Sequence, residues 1–150
     1  MLLRAVLVVT VLVAAAGLGV WWRSREGRFT LVPSGPTAPT DRAERLTATE
    51  IGIPLGERTT LLQLSSAVCA PCRRVREVLT ELAAERPGTV HAELDVEQHL
   101  GLVRRLNVLR TPTVLVLDAA GTVVGRMSGA TTRAQALAAI ESCPGAVPGR

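Results

Sequence analysis

The segment that most constrains the fold runs from residue 59 to residue 75. TTLLQLSS (59–66) is β-branched and apolar and indicates a buried strand. Cys69 and Cys72 follow it, and Pro71 suits the first turn of a helix, where a missing N–H costs nothing. This strand–Cys-x-x-Cys–helix order gives the cysteine pair a structural context that the bare motif lacks.

The helix that starts at the cysteine pair has one apolar face. Its members recur at helical spacing and are predicted to be buried: Cys72, Val75, Leu79, Leu82 and Ala83. Pro87-Gly88 is a stop signal and is predicted to end the helix.

The other segments extend an α/β pattern. Strands are predicted at 45–51 (a short edge strand), 89–96, 111–118 and 122–129, with helices at 97–107 and 131–142. In the first of these helices Leu100, Val103 and Leu106 are expected to face inward, and a Thr is expected to cap the second. The order predicts an α/β sandwich around a mixed sheet, with helices as the crossovers between parallel strands.

The N-terminal segment predicts a membrane anchor. Residues 5–22 carry no charge, and a helix of these 18 residues would cover about 27 Å, close to the hydrocarbon thickness. Trp21 and Trp22 end the run where an interfacial belt would lie. A cleaved signal peptide is the alternative, but no small-x-small cleavage site follows; a buried soluble helix is the weaker alternative.

Positive charges near the predicted span indicate its orientation. Arg23, Arg25 and Arg28 follow the run, against Arg4 and the amino terminus before it. The positive-inside rule therefore favours a cytoplasmic domain over an extracytoplasmic one, by about one charge.

The predicted domain order is an anchor at 1–22, a linker at 23–44, a folded domain at 45–142 and a tail at 143–150. Prolines recur every third residue in TLVPSGPTAPT (30–40), a composition that favours an extended, semi-rigid tether.

Charge and composition exclude one class of function. Every basic residue is Arg, and the net charge of +4 is uneven, with +3 in residues 1–30 and +1 in the remainder. Neither clustered charge nor interleaved aromatic residues, which nucleic-acid binding requires, occur beyond that region. We therefore expect no nucleic-acid partner.

The cysteine pair has three interpretations: a redox centre, part of a metal site, or core packing. A thiolate at Cys69 would be stabilised by the unpaired N–H groups and dipole of the helix N-terminus, and a thiolate is the nucleophile of disulfide exchange. Structural zinc needs four ligands, usually from two such cysteine pairs. Beside the one pair this sequence offers only Cys143, His91 on a predicted strand and His99 at a predicted helix start. The redox interpretation is favoured, and neither a metal nor a cofactor is expected.

Four segments in order resemble thioredoxin: LLQLSSAVCAPCRRV, HAELDVEQ, LNVLRTPTVLVLDAAG and RMSGATT. The resemblance covers about residues 45–142. It implies a thioredoxin-like fold, with a mixed central sheet flanked by helices, and thiol–disulfide oxidoreductase activity in cell redox homeostasis. Cys69 would attack protein disulfide substrates, Cys72 would resolve the mixed disulfide, and an unidentified reductase or other electron donor would recharge the pair.

The resemblance also implies a substrate-binding surface. Thr111-Pro112 would be a cis peptide packed against the disulfide, with the Thr111 backbone offered to an extended substrate; a trans proline at a strand start is the alternative. Ala70 and Pro71, between the cysteines, would contact the substrate as well. A proline before the second cysteine, as in thioredoxin, favours a role as a reductant over one as an oxidant.

The sequence departs from the thioredoxin pattern below the cysteines. Gln63 stands where the family has a buried Asp, and Glu93 where the usual Lys partner lies; Val68 and Ser65 replace aromatic residues. Gln63 cannot take a proton. Glu93 either supplies the missing carboxylate from the neighbouring strand or points to solvent.

Three functions stay open at this level. The first is a membrane-tethered, general thiol–disulfide oxidoreductase. The second is a dedicated redox partner of one membrane or envelope protein, for example in cytochrome maturation. The third is a non-catalytic binding module. Cys143 is interpreted as a spare surface or cap residue, with a regulatory or intermolecular disulfide as the alternative.

Overall fold

A computed structural model of the chain describes residues 2–23, 30–31 and 44–143. Its elements, in chain order, are α1 (Leu2–Arg23), β1 (Thr30–Leu31), α2 (Ala48–Ile51), β2 (Thr59–Ser65), α3 (Ala70–Glu85), β3 (Thr89–Asp95), α4 (Leu100–Arg105), β4 (Thr113–Asp118), β5 (Val123–Ser128) and α5 (Arg133–Glu141). The helices and strands predicted between 59 and 142 are all present, with bounds shifted by a few residues.

One five-stranded sheet organises the domain, in the order β1-β5-β4-β2-β3. β2 and β3 run parallel and are joined by α3, whereas β2–β4, β4–β5 and β1–β5 are antiparallel. The sheet is therefore mixed, as predicted, and α3 is the crossover that its parallel pair requires.

Apolar clusters cover both faces of the sheet. α3 and α5 pack on one face over Leu61 and Val116. α2 and α4 flank the other face over Leu62 and Leu115. All seven residues of β2 are buried, since this strand lies between β3 and β4 with helices above and below. The strand therefore ends in the core of the domain, directly before the loop that carries Cys69 and the start of α3.

The predicted edge strand at 45–51 is wrong. Arg45 makes a single bridge to Thr122, and the chain then turns into α2. Thr47 and Glu50 form a reciprocal capping box, in which the Glu50 side chain accepts from the Thr47 backbone N–H at 2.8 Å. The Thr-x-x-Glu spacing thus marks the start of a helix and does not belong to an alternating strand.

One predicted inward residue of α4 points outward. Leu100 is 54% exposed, whereas Leu106 is buried as expected. Leu100 is the first residue of a six-residue helix, so its side chain lies beyond the core that Leu102 and Val103 reach.

The predicted linker contributes to the sheet edge. Thr30 pairs with Arg126 and Leu31 with Gly125, so these two residues are not part of a free tether. At the other end, the Glu44 carbonyl accepts from the Val123 N–H at 2.9 Å. Both ends of the 32–43 segment are therefore attached to β5, only two residues apart along it. The segment itself, with most of the predicted tether, lies outside the described residues.

The predicted membrane span, 5–22, lies within α1, and the side chains described at 6–21 are exposed. Among the described residues, no helix combines the length and the apolar character needed to cross a membrane.

Candidate active site

A disulfide joins Cys69 and Cys72 at the start of α3, with the two Cα atoms 5.3 Å apart. Cys69 is the N-cap residue, and its sulfur accepts a hydrogen bond from the Cys72 backbone N–H at 3.2 Å. The same N–H group would stabilise a thiolate after reduction. Cys69 is partly exposed, whereas Cys72 is 1% exposed. One sulfur is therefore accessible to a substrate, and the other is shielded behind it.

The surface beside the disulfide carries exposed apolar groups. Ala70 and Pro71 are exposed between the cysteines, and Val68 just before them is 91% exposed. Leu109, two residues before Thr111, is 85% exposed. The structure leaves these side chains open to a partner, and their role in substrate binding stays a prediction.

The Thr111–Pro112 peptide bond is cis, as the resemblance implied. It immediately precedes β4, whose first residue, Thr113, pairs with Leu64 near the end of β2. Because β2 leads into the cysteine loop, the cis peptide and the disulfide lie at the same end of the sheet. Thr111 is partly exposed, whereas the Pro112 ring is buried in the domain.

Gln63 lies fully buried beneath the cysteine-bearing turn. Its Nε2 donates to the Ser65 Oγ at 2.7 Å, to the Cys72 carbonyl oxygen at 3.0 Å and to the Glu93 Oε1 at 3.4 Å. A neutral amide therefore links Cys72 to Glu93, at the position where the resemblance led us to look for an acid.

Glu93 does not simply point to solvent. It pairs with Gln63 across the parallel strands, and its side chain is 23% exposed. Arg76, one turn after Cys72, binds both its carboxylate oxygens, with Nη2–Oε1 at 2.8 Å. Burial raises the pKa of Glu93, but hydrogen bonds from Arg76 and Ser65, with the charges of Arg76 and His91, outweigh it and leave the pKa below its usual value.

His91 is the residue that sequence reasoning missed. Its Nε2 lies 3.2 Å from the Gln63 Oε1, and its Nδ1 lies 3.1 Å from the Thr80 hydroxyl on α3. Burial lowers its pKa, which favours the neutral ring at neutral pH. Period-two spacing puts His91 on the same face of β3 as Glu93, and that signal was present in the sequence.

A cleft of about 240 Å³ opens beside this network. Its lining is formed by Ser65, Ser66, Ala67, Arg76, Glu93 and Asp95. Solvent can therefore approach the Glu93 carboxylate from the cleft while Gln63 stays buried behind it.

Cys143 is a core residue directly after Ser142, the C-cap of α5, which corrects the surface part of its interpretation as a spare surface or cap residue. It is 4% exposed and packs in the cluster under α3 and α5. Burial raises the pKa of its thiol, so it is a poor nucleophile. Its burial also places it in the folded domain rather than in the predicted tail. Among the described residues, no cluster of three His, Cys, Asp or Glu side chains could hold a metal ion.

Comparison with known proteins finds similarity to thioredoxins in both sequence and structure. The model of a thioredoxin-like domain family matches residues 48–143. The chain is 32% identical over 60 residues to thioredoxin H5 of Oryza sativa subsp. japonica, a match that covers 40% of this chain. It spans less than half the length of the curated relatives it matches, 44% and 46%.

Solved structures share the fold. A mutant thioredoxin from Halobacterium salinarum NRC-1 is 25% identical with a TM-score of 0.54, over 61% of this chain and 80% of that one. A thioredoxin from Fasciola hepatica is 26% identical with a TM-score of 0.51, over 62% of this chain and 84% of that one.

Proposed function

Because this chain belongs to the thioredoxin-like domain family, we propose that it is a thiol–disulfide oxidoreductase acting on protein disulfides. The observation that carries the proposal is the Cys69–Cys72 disulfide at the N-terminus of α3, with one sulfur accessible and the other shielded. The exposed apolar surface beside it supports a protein substrate rather than a small one.

The proposed reduction proceeds in two exchanges. The Cys69 thiolate attacks one sulfur of the substrate disulfide, forms a mixed disulfide and releases the first substrate thiolate. The Cys72 thiolate then attacks the Cys69 sulfur, releases the second substrate thiolate and re-forms the Cys69–Cys72 disulfide. Two electrons pass to the substrate, and a separate dithiol donor must restore the reduced pair.

The test is catalysed reduction of insulin by the full-length protein, with dithiothreitol as the electron donor. We expect precipitation of the reduced insulin chains to accelerate with protein concentration. A variant with both active-site cysteines replaced by serine is the matched control. Failure of insulin reduction, combined with a defined protein captured by Cys72→Ser, would instead indicate a dedicated redox partner.

Glu93 is proposed to help Cys72 lose its proton before the second exchange. Gln63 cannot accept a proton, whereas the Glu93 carboxylate contacts Gln63 and opens to the cleft. Cys72 does not line the cleft, so the proposal requires a water molecule between the thiol and the carboxylate, an arrangement that general base catalysis allows.

Substitution tests this role of the carboxylate. Glu93→Gln is expected to slow mixed-disulfide resolution about 10²-fold, the lower range of general acid–base effects. Gln63→Asp adds a carboxylate beneath Cys72 and should accelerate resolution if proton acceptance limits the step, whereas loss of the Gln63 N–H donor to the Cys72 carbonyl would slow it. Quenched-flow trapping of the mixed disulfide measures both rates, and resolution in Glu93→Gln at the wild-type rate would show that water alone accepts the proton.

Placement of the domain at a membrane is a separate proposal, supported by the sequence of residues 5–22. We expect the full-length protein to stay in the membrane fraction after carbonate washing. We also expect the Arg residues that follow the uncharged segment 5–22 to keep the domain on the cytoplasmic side. Val9→Asp with Val13→Asp should release it, because each acid at the centre of a span costs about 2.5–3.5 kcal/mol. Release of the wild type by carbonate would contradict anchoring, and external protease digestion of its domain would contradict the orientation.

A further inference from the structure

The orientation of the Gln63 amide is determined by its neighbours. Nε2 faces three oxygen atoms, of Ser65, Cys72 and Glu93. The Ser65 hydroxyl donates to Glu93, so towards Gln63 it acts as an acceptor. A flipped amide would place a carbonyl oxygen against a backbone carbonyl and a carboxylate, neither of which has a proton to donate.

His91 is the described group that satisfies the other end of this amide. Its Nε2 lies 3.2 Å from the Gln63 Oε1, and an amide oxygen only accepts, so Nε2 carries the proton. Nδ1 of the neutral ring then accepts from the Thr80 hydroxyl. The lowered pKa of His91 agrees with a neutral ring of this tautomer.

We propose that His91 is a positioning residue of the resolving step: its Nε2–H holds the Gln63 amide in the orientation in which Nε2 donates to the Cys72 carbonyl oxygen. The proposal rests on the proposed oxidoreductase function. The Gln63 amide in turn fixes the backbone carbonyl of the residue whose sulfur attacks the mixed disulfide. An amide free to turn would place its oxygen against this carbonyl, a repulsive contact that displaces Cys72 from its attacking position.

The effect of His91 should be confined to Cys72. Gln63 donates a hydrogen bond to the Cys72 carbonyl, whereas the Cys69 sulfur accepts one from the Cys72 backbone N–H. Loss of the imidazole should therefore slow the second exchange and leave the first unchanged. A merely structural role of His91 would disturb both steps together.

Ellman's reagent, 5,5′-dithiobis(2-nitrobenzoate), separates the two steps in the reduced full-length protein. Attack by Cys69 releases one thionitrobenzoate, and attack by Cys72 on the resulting mixed disulfide releases a second, so two phases appear at 412 nm. Buried Cys143 should contribute to neither phase in the native protein.

His91→Leu is expected to slow the second phase about ten-fold, equivalent to about 1.4 kcal/mol, without change in the first. His91→Gln, which keeps an N–H donor, should restore most of the rate. Thr80→Val, which removes the hydroxyl that donates to Nδ1 and holds the ring, should slow the second phase in the same direction, and it provides the test if His91→Leu does not fold.

The outcomes separate the two proposals. Equal slowing of both phases, an unchanged second phase, or no rescue by His91→Gln would overturn the positioning role of His91. A wild-type protein that releases no second thionitrobenzoate would instead contradict the proposed function itself.

Discussion

Replacement of Cys69 by serine is expected to reduce disulfide reduction to the rate of dithiothreitol alone, whereas Cys72→Ser should leave the first attack intact. Cys69 is the accessible sulfur, at the N-terminus of α3. A serine hydroxyl is not ionised at neutral pH and cannot form the mixed disulfide. Without Cys72, the mixed disulfide on Cys69 has no internal thiol to resolve it.

Non-reducing electrophoresis with mass spectrometry distinguishes the variants. Cys72→Ser should accumulate a stoichiometric covalent complex with a disulfide substrate, linked through Cys69, and Cys69→Ser should accumulate none. Cys143→Ala, a core cysteine outside the site, is the matched control and should turn over like the wild type. A complex formed through Cys72 in the Cys69→Ser variant would reverse the assigned roles.

Leu79→Ala is expected to lower the free energy of unfolding by about 2–5 kcal/mol, the usual cost of a cavity in a packed core. Leu79 is fully buried on the inner face of α3, in the cluster with Leu61 and Val116. The change keeps helix propensity high, so the loss reports packing of α3 on the sheet.

Chemical denaturation followed by circular dichroism measures this loss. Glu81→Ala, at an exposed position of α3, is the matched control and should change the unfolding free energy by less than about 0.5 kcal/mol. Equal destabilisation by the two variants would contradict the assignment of the buried face of α3.

The elements nearest the cysteines were predictable because their patterns are strong. The apolar run of β2 and the helical spacing from Cys72 to Leu82 match the structure closely. The cis peptide before Pro112 came from the resemblance, since sequence alone does not exclude a trans bond, which is the commoner isomer.

The missed elements depend on signals that are short or non-local. The capping box of Thr47 and Glu50 was readable, but four residues of helix gave too little periodicity to outweigh a weak alternation. Strand β1 has only two residues, Thr30–Leu31, and exists through pairing with β5, far along the chain.

The polar network below the disulfide was only partly predictable. Gln63 and Glu93 were recognised as substitutions at family positions, whereas the contact of Gln63 with His91 needs the register of β2 against β3 and the rotamers of both side chains. Burial of Cys143 likewise depends on how α5 ends against the core. Neither is encoded in local spacing.

Single-turnover exchange between the reduced full-length protein and insulin tests the central claim most directly. After acid quenching and alkylation, mass spectrometry counts the Cys69–Cys72 disulfides formed and the insulin disulfides lost. The account predicts one insulin disulfide lost for each Cys69–Cys72 disulfide formed, with Cys143 remaining a free thiol. A Cys69–Cys72 pair that stays reduced, or that oxidises without loss of an insulin disulfide, would contradict it.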